Sequence, residues 1–219
     1  TFTLTNGTKS GFTAVVFNYG ALNISGGEFV QSDKNPPYYQ AQVIHTDKDG
    51  SDVPSTVITG GIFKNLCSRT QAMAVRATNK AAGSTKVSGG TFNKEISDSY
   101  CADGFIPTKN ADGTYGVKTG KYVAQVGSGT KYETLAEAIN KGAKKIVKLL
   151  SDVDENVTIK AGTTRTIDLN GYTLNGGTGT STPTILNRGT LTITDSSADK
   201  TGTIKRADSG IEGEISYYV

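Results

Sequence analysis

Short apolar runs, each closed by glycine, asparagine or aspartate, follow one another along the whole chain. Phe2, Leu4, Ala14-Val15-Val16-Phe17, Leu22 and Ile24 alternate with polar positions as far as Phe29, with Asn-Gly or Tyr-Gly turns between them, and this predicts short strands. Strand text resumes at Val57-Ile58, at Met73-Ala74-Val75, and at Val87 and Phe92. Between these, Gln31 to Asp52 is polar apart from Val43-Ile44 and predicts a long excursion from the core. Ile96, Tyr100 and Cys101 predict a short helical turn over Asn93 to Tyr100. Phe105-Ile106-Pro107-Thr108-Lys109 and Thr114-Tyr115-Gly116-Val117 flank Asn110-Ala111-Asp112-Gly113, the chemistry of a hairpin loop.

A new unit begins at Lys121. Tyr122 to Val126 predicts a strand. Leu135, Ala136, Ala138 and Ile139 then line one face of a helix, with Glu133 and Glu137 at its positive end and Gly142 stopping it. Lys145 to Leu150 reads as a buried strand, followed by Val157-Thr158-Ile159, Thr166-Ile167-Asp168-Leu169, Tyr172-Thr173-Leu174, Thr184-Ile185-Leu186, Leu191-Thr192-Ile193 and Thr203-Ile204. Leu169, Ile185-Leu186 and Ile204 are spaced as one turn of a solenoid per step.

Two patterns recur. Val16-Phe17-Asn18-Tyr19-Gly20-Ala21-Leu22-Asn23-Ile24 returns as Ile185-Leu186-Asn187-Arg188-Gly189-Thr190-Leu191-Thr192-Ile193. Ile or Val, then Ser or Thr, then Gly-Gly-x-Phe ends at Phe29, Phe63 and Phe92. The second glycines lie 34 (61 − 27) and 29 (90 − 61) residues apart, so the copies belong to coils of unequal length around a shared core. The expected fold is all-β, a parallel β-helix (solenoid) with one short capping helix and a capping β-hairpin, since a solenoid end exposes strand edges that a hairpin covers.

Composition narrows the function. Glycine is abundant at 27, tryptophan is absent and threonine is conspicuous, which favours many short strands over helices. The 23 basic and 20 acidic side chains are interspersed and give a net charge of +3, which argues against nucleic acid as a partner. The basic stretch Lys141 to Lys148 alternates with apolar residues and reads as the wet side of a helix-to-strand passage. No apolar run approaches the roughly 20 residues that span a bilayer, so no membrane insertion is expected of this segment. Without a signal peptide before Thr1, the chain is expected to be a piece of a processed or longer protein. Cys67 and Cys101 are either two buried thiols or one disulfide, and their spacing does not suit a metal.

Tyr132-x-Thr134-Leu135-x-Glu137-Ala138-Ile139, Ile146 to Val153 and Ile167-Asp168-Leu169-Asn170-Gly171-Tyr172-Thr173-Leu174 together resemble the start of right-handed β-helices of the pectin-lyase-like superfamily, where a helix plugs the first coil. Val87 to Phe92, Ala102-Asp103-Gly104-Phe105 and Lys109 to Tyr115 resemble tandem modules of large adhesin-like surface proteins of gut bacteria. The resemblance implies a right-handed helix, secretion to a bacterial cell surface, and a glycan or host surface protein as partner. Residues 1–118 resemble the C-terminal part of one module with its hairpin, and 119–219 the N-terminal part of the next with its helix. Open ends of the two parts would then associate head to tail.

Catalytic sets are not evident. Pectate lyases of this superfamily use calcium-binding aspartates with an arginine base, and polygalacturonases use three aspartates, a histidine and an Arg-x-Lys pair; neither set is found. The sole histidine, His45, sits in the polar excursion, and Asp168 is alone on its strand, where it is expected to bond a turn. Asp47-Lys48-Asp49-Gly50-Ser51-Asp52 has His45 and Thr56 where a calcium loop needs its first and last ligands, and reads as a solvated turn. Tyr38 and Tyr39, after Pro36-Pro37, either stack on a sugar or pack their loop down. Asn18 and Asn187, each two residues before Gly20 and Gly189, are expected to be stacked asparagines bonding successive coils. The expectation is a non-enzymatic structural or adhesive surface segment without a cofactor; the alternative is a carbohydrate-active enzyme or glycan-binding module.

Overall fold

The computed structural model describes residues 2–4, 12–32, 40–51, 53–78, 81, 83–142, 145–177 and 182–206. The chain divides into two compact units, residues 1–120 and 121–219. Both are built mostly of strands, and no helix among the described residues is long and apolar enough to cross a membrane.

The first unit contains β1 (Phe2–Leu4), β2 (Phe12–Asn18), β3 (Ala21–Ile24), β4 (Glu28–Gln31), β5 (Gln40–Thr46), β6 (Ser55–Ile58), β7 (Ile62–Asn65), β8 (Met73–Ala77), β9 (Thr85–Val87), β10 (Thr91–Phe92), β11 (Phe105–Lys109) and β12 (Tyr115–Thr119). Every third strand pairs. β2-β5-β8, β3-β6-β9 and β1-β4-β7-β10 form three parallel sheets. In-register pairing sets like on like: Val16, Ile44 and Val75; Ile24, Ile58 and Val87; Phe29, Phe63 and Phe92. The three phenylalanine rings stack with centroids 5.1 Å and 4.8 Å apart and planes within 7° and 11°. All three are buried, and each such side chain contributes roughly 1.5–3 kcal/mol by leaving water.

The Gly-Gly pair before each phenylalanine has a steric cause. The second glycine of every pair has a positive φ, 93° at Gly27, 112° at Gly61 and 103° at Gly90, which L side chains avoid. The first lets the preceding turn approach: a Cβ at Gly60 would stand 2.5 Å from the Ser25 carbonyl oxygen, and one at Gly89 2.2 Å from that of Thr59.

Of the polar stretch Gln31 to Asp52, residues 33–39 and 52 lie outside the described residues, and Gln40 to Thr46 is not the excursion that its polarity predicts. β5 is the middle strand of its sheet, and every residue from Ala41 to Thr46 is buried. The polar side chains face one another inside the unit. Asn18 Nδ2 donates to Thr56 Oγ1 at 2.9 Å, the Thr46 and Thr56 hydroxyls are bonded at 2.7 Å, and Asn65 Nδ2 donates to the carbonyls of Ala41 and Met73, both at 2.8 Å. A buried polar group keeps most of its free energy when it is bonded, so polarity in the sequence did not mean exposure here.

The helical turn expected over Asn93 to Tyr100 shrinks to a 3-10 turn at Asp98–Tyr100, with the Ser97 hydroxyl accepting from Ser99 N. β11 and β12 form the expected hairpin, Lys109 opposite Tyr115, and its loop is closed by Asn110 N donating to Thr114 O at 2.8 Å. β12 also pairs antiparallel with β10, Tyr115 opposite Phe92, so the hairpin occupies that edge of the phenylalanine sheet.

The second unit contains β13 (Ala124–Val126), β14 (Lys131–Tyr132), the helix α1 (Leu135–Lys141), β15 (Ile146–Leu149), β16 (Val153–Asp154), β17 (Val157–Ile159), β18 (Thr164–Asp168), β19 (Thr173–Gly176), β20 (Ile185–Asn187), β21 (Thr190–Thr194) and β22 (Thr203–Arg206). Again every third strand pairs: β15-β18-β21, β16-β19-β22 and β17-β20 are parallel. β13 is antiparallel to β14 and to β15. Val147, Ile167 and Ile193 form one column, Val153, Leu174 and Ile204 another, and Val157 and Ile185 a third. The shorter spacing of Leu169, Ile185-Leu186 and Ile204 is therefore not a repeat. Leu169 follows β18 while Ile185 and Ile204 lie on β20 and β22, in three different positions of the triplet, because every short strand has similar apolar text.

Helix α1 buries Leu135, Ala138 and Ile139 in the core of this unit. Seven residues are too few to hold a helix alone, and side chains from Thr134 just before it and from Glu155 and Arg165 later in the chain secure both ends. Thr134 Oγ1 accepts from Glu137 N at 3.2 Å, the Glu155 carboxylate accepts from Leu135 N at 2.9 Å and Ala136 N at 3.1 Å, and Arg165 Nε donates to Ile139 O at 2.6 Å.

Two outcomes follow for stability, both read by thermal or chemical denaturation. Phe63→Ala, at the centre of the ring stack, loses about 3–5 kcal/mol, whereas Ile62→Ala on the exposed face of the same strand changes stability by roughly 0.5 kcal/mol or less. Equal losses would contradict the assignment of faces. Glu155→Ala, which leaves two helix N–H groups without their charged acceptor, loses about 1–3 kcal/mol.

Candidate functional site

The polar residues singled out by the repeats lie at the corners between strands. Asn18 ends β2, and its Oδ1 accepts from Gly20 N at 3.0 Å while Nδ2 donates to Ser55 O at 2.8 Å, on the neighbouring strand β6. This side chain thus bonds both its own turn and the next triplet. Asn187 makes the same local turn, its Oδ1 accepting from Gly189 N at 3.0 Å, but it is exposed on β20, and no later triplet follows among the described residues. Asn18 therefore bonds the next triplet as expected, but the asparagines do not stack: Asn18 is in register with Thr46 and Ala77, and Asn187 with Ile159. Gly189 is packed against the preceding turn, where a Cβ would meet Thr163 O at 2.4 Å; Gly20 has no described atom within 4 Å of that position.

Sequence reasoning missed that other corners use the same device. Asn65 Oδ1 accepts from Cys67 N at 3.1 Å, and Asn93 exchanges two bonds with the Asn65 backbone. Asp168 accepts from Asn170 N at 3.1 Å and Ser196 N at 2.8 Å, so it bonds turns as expected, and Lys148 Nζ stands 3.9 Å away. Its burial favours the protonated form, but the bonds from Ser196 and Asn170 and the lysine charge outweigh this and hold its pKa below the usual carboxylate range. Asp195 accepts from Ser197 Oγ at 2.7 Å and from Ser197, Gly171 and Gly202 N–H groups, and the Ser197 hydroxyl leads in pulling its pKa down to about 2. The legible signal was an asparagine or aspartate two residues ahead of a turn.

His45 is on β5, not in a loop, and is buried in register between Phe17 on β2 and Arg76 on β8. Its ring lies 4.9 Å from that of Phe17, which in turn parallels Tyr19 at 6.4 Å and 8°. Phe17 and Tyr19 are 42% and 46% exposed, so two rings stand on the surface, that of Phe17 against the histidine. Burial, reinforced by the Arg76 charge and opposed by Asp47, lowers the His45 pKa below its ordinary value. The imidazole is neutral at neutral pH. Asp47 itself is engaged in a turn, its Oδ1 accepting from Lys48 N at 2.8 Å and from the Thr78 hydroxyl.

Cys67 and Cys101 are both buried and free. The disulfide alternative is not realised, because Cys67 packs in a small cluster with Ala41 and Ala72 whereas Cys101 packs in the main core beside Val87. Burial, with the Asp98 charge, pushes the Cys101 thiol up to about 11. Tyr38 and Tyr39 lie outside the described residues. Among the described residues no three or more His, Cys, Asp or Glu side chains gather where a metal ion would bind. Comparison with protein-family models, with curated proteins and with solved structures finds no match to this chain.

The histidine sets a pH dependence. An unfolded chain binds a proton at His45 near pH 6.5, and the folded one only at lower pH, so folding stability is full above about 6.5 and falls as pH drops toward the folded value. Between pH 7.5 and 5 the stability of the unsubstituted protein declines, and His45→Gln removes most of that decline; parallel slopes would contradict the buried neutral imidazole. Both thiols resist an aqueous thiol reagent in the folded protein and react on unfolding, because burial hides both and keeps Cys101 protonated. Rapid reaction of either one in the native state would show it to be accessible.

Proposed function

We propose that each unit is part of a right-handed parallel β-helix and that the chain is a non-enzymatic structural or adhesive segment of a secreted bacterial surface protein. The observation that carries the reading is the pairing of every third strand, like residue on like, in both units. Such stacking ties each triplet to its neighbours by backbone hydrogen bonds and a continuous apolar column, which makes a stiff spacer. The handedness, the surface location and an adhesive role rest on the sequence resemblance to β-helix modules of adhesin-like proteins.

The use of the polar side chains supports a structural role. Asn18, Asn65, Asp168 and Asp195 are committed to turn N–H groups, and His45 is covered by Phe17. A retaining or inverting glycosidase of the usual kind needs two carboxylates flanking the scissile bond, one of them able to give a proton. Asp168 and Asp195 instead have lowered pKa values that suit permanent acceptors.

Incubation with polygalacturonate and a panel of neutral and host glycans, with and without calcium, tests this directly. The expected result is no release of unsaturated or reducing ends above a blank. Release that a single substitution at Asp168 or Asp195 abolishes, without loss of fold, would replace the proposal with an enzyme; saturable binding without release would make the segment a glycan-binding module.

A further inference from the structure

β8, β9 and β10 form the third triplet of the first unit, and the chain runs on past them through the 3-10 turn and the hairpin to the second unit. Each strand of this triplet has a side turned away from the strands it stacks on. Such a side offers N–H and C=O groups to any strand that reaches it. On β10 they are taken by β12, Phe92 opposite Tyr115. On β9 the chain just after the 3-10 turn takes them: Cys101 bridges Val87 in parallel, and Ala102 N donates to Val87 O at 2.9 Å. β8 has no partner strand on its far side among the described residues.

At β8 a side chain takes the place of the strand. The N–H and C=O groups along a strand point alternately to its two sides. Thr78 N donates to Thr46 O at 3.0 Å, toward β5, so those of Ala77 point away from β5. Both meet the Tyr100 hydroxyl: Ala77 N donates to it at 3.0 Å, and it donates to Ala77 O at 3.3 Å. One hydroxyl thus accepts from and donates to the same residue, as two backbone groups of a paired strand would. At the other end of β8 the Met73 carbonyl accepts from Asn65 Nδ2 at 2.8 Å.

The hydroxyl is held in position by its neighbours in the chain. Tyr100 N donates to Ser97 O at 3.0 Å and Cys101 N to Asp98 O at 3.1 Å, while Cys101 and Ala102 are fixed on Val87. The half-buried Tyr100 ring packs against the main core of the unit, a task that phenylalanine would perform as well. What requires tyrosine is the hydroxyl at Ala77.

We propose that Tyr100 is an edge guard: its hydroxyl closes β8 to a further strand, one from a second copy of this chain included, and with Cys101 on β9 and β12 on β10 it ends the stack at the third triplet. The role needs only the pairing of every third strand and is independent of handedness and of where the protein works. A strand that adds to β8 must first take Ala77 from the hydroxyl, and the ring, anchored in the core, stands in its path.

Tyr100→Phe keeps the ring and removes the hydroxyl. Amide hydrogen exchange followed by nuclear magnetic resonance reads the first consequence. Ala77 N–H is protected in the unsubstituted protein and exchanges about tenfold faster or more in the variant, while Thr78 N–H, bonded within the sheet, keeps its rate. Sedimentation velocity reads the second: the folded variant gains mass with concentration more steeply than the unsubstituted chain does. Adding Ala77→Pro to Tyr100→Phe removes the N–H that a new strand would use, at an edge position where proline is tolerated, and returns association to the unsubstituted level. Open-chain exchange of Ala77 in the unsubstituted protein, unchanged exchange in Tyr100→Phe, no added association by that variant while it melts as a folded protein, or equal association after Ala77→Pro would overturn the proposal. The first of these is read without any substitution, so the test holds even where a variant fails to fold.

Discussion

A strand of three to five residues has too little side-chain surface to hold itself in place, and its N–H and C=O groups point sideways out of its own triplet. In this protein they are met by the strand one triplet away. Once that pairing is parallel and in register, each side chain is set over its counterpart, and the rest of the structure follows from the stack. Phenylalanine over phenylalanine gives a ring column; aliphatic over aliphatic gives the cores of both units. A mismatch at one level disturbs the levels on both sides.

The stack also dictates the corners. Where the chain turns between sheets its N–H groups lose their strand partners, and aspartate or asparagine two residues ahead supplies the acceptor. Asn18, Asn65, Asp168 and Asp195 each do so while bonding a neighbouring triplet or a distant turn as well. Close approach of corner backbones then excludes a Cβ at Gly60, Gly89, Gly176 and Gly189, and a positive φ accounts for glycine at Gly27, Gly61 and Gly90. The turn residues are therefore part of the support for the stack, and their chemistry is occupied by it.

The strongest repeats were legible because their cause is local. Gly-Gly-x-Phe is forced by a positive φ, a near-contact and a buried ring, and these leave no latitude in residue type. The hairpin around Asn110 to Gly113 and helix α1 carried equally local signals. β5 was illegible for the opposite reason: Gln42, His45 and Thr46 read as solvent-facing, yet all three are buried, Thr46 bonded to Thr56 and His45 covered by Phe17, and these partners belong to other strands and leave no trace in the β5 text. The second unit misled through its evenness. Short Thr- and Ile-rich strands look alike whichever sheet they join, so Leu169, Ile185-Leu186 and Ile204 suggested one turn for every two strands where three strands make one repeat. Of the residues with chemical interest, Asp168 was read correctly as a turn acceptor; Asp195 carries the same signal, an aspartate two residues ahead of its turn, and went unread, whereas the Phe17–Tyr19 pair gave no pattern to notice beforehand.

The central claim is that every third strand is paired in parallel and in register, and it is tested most directly by backbone nuclear Overhauser contacts in the isotope-labelled protein. The account predicts the parallel cross-strand pattern at Phe29, Phe63 and Phe92 and again at Val147, Ile167 and Ile193, with contacts between the rings of Phe63 and both of its neighbours. Antiparallel contacts at these positions, or a register shifted by one residue so that Phe63 faces outward, would contradict it.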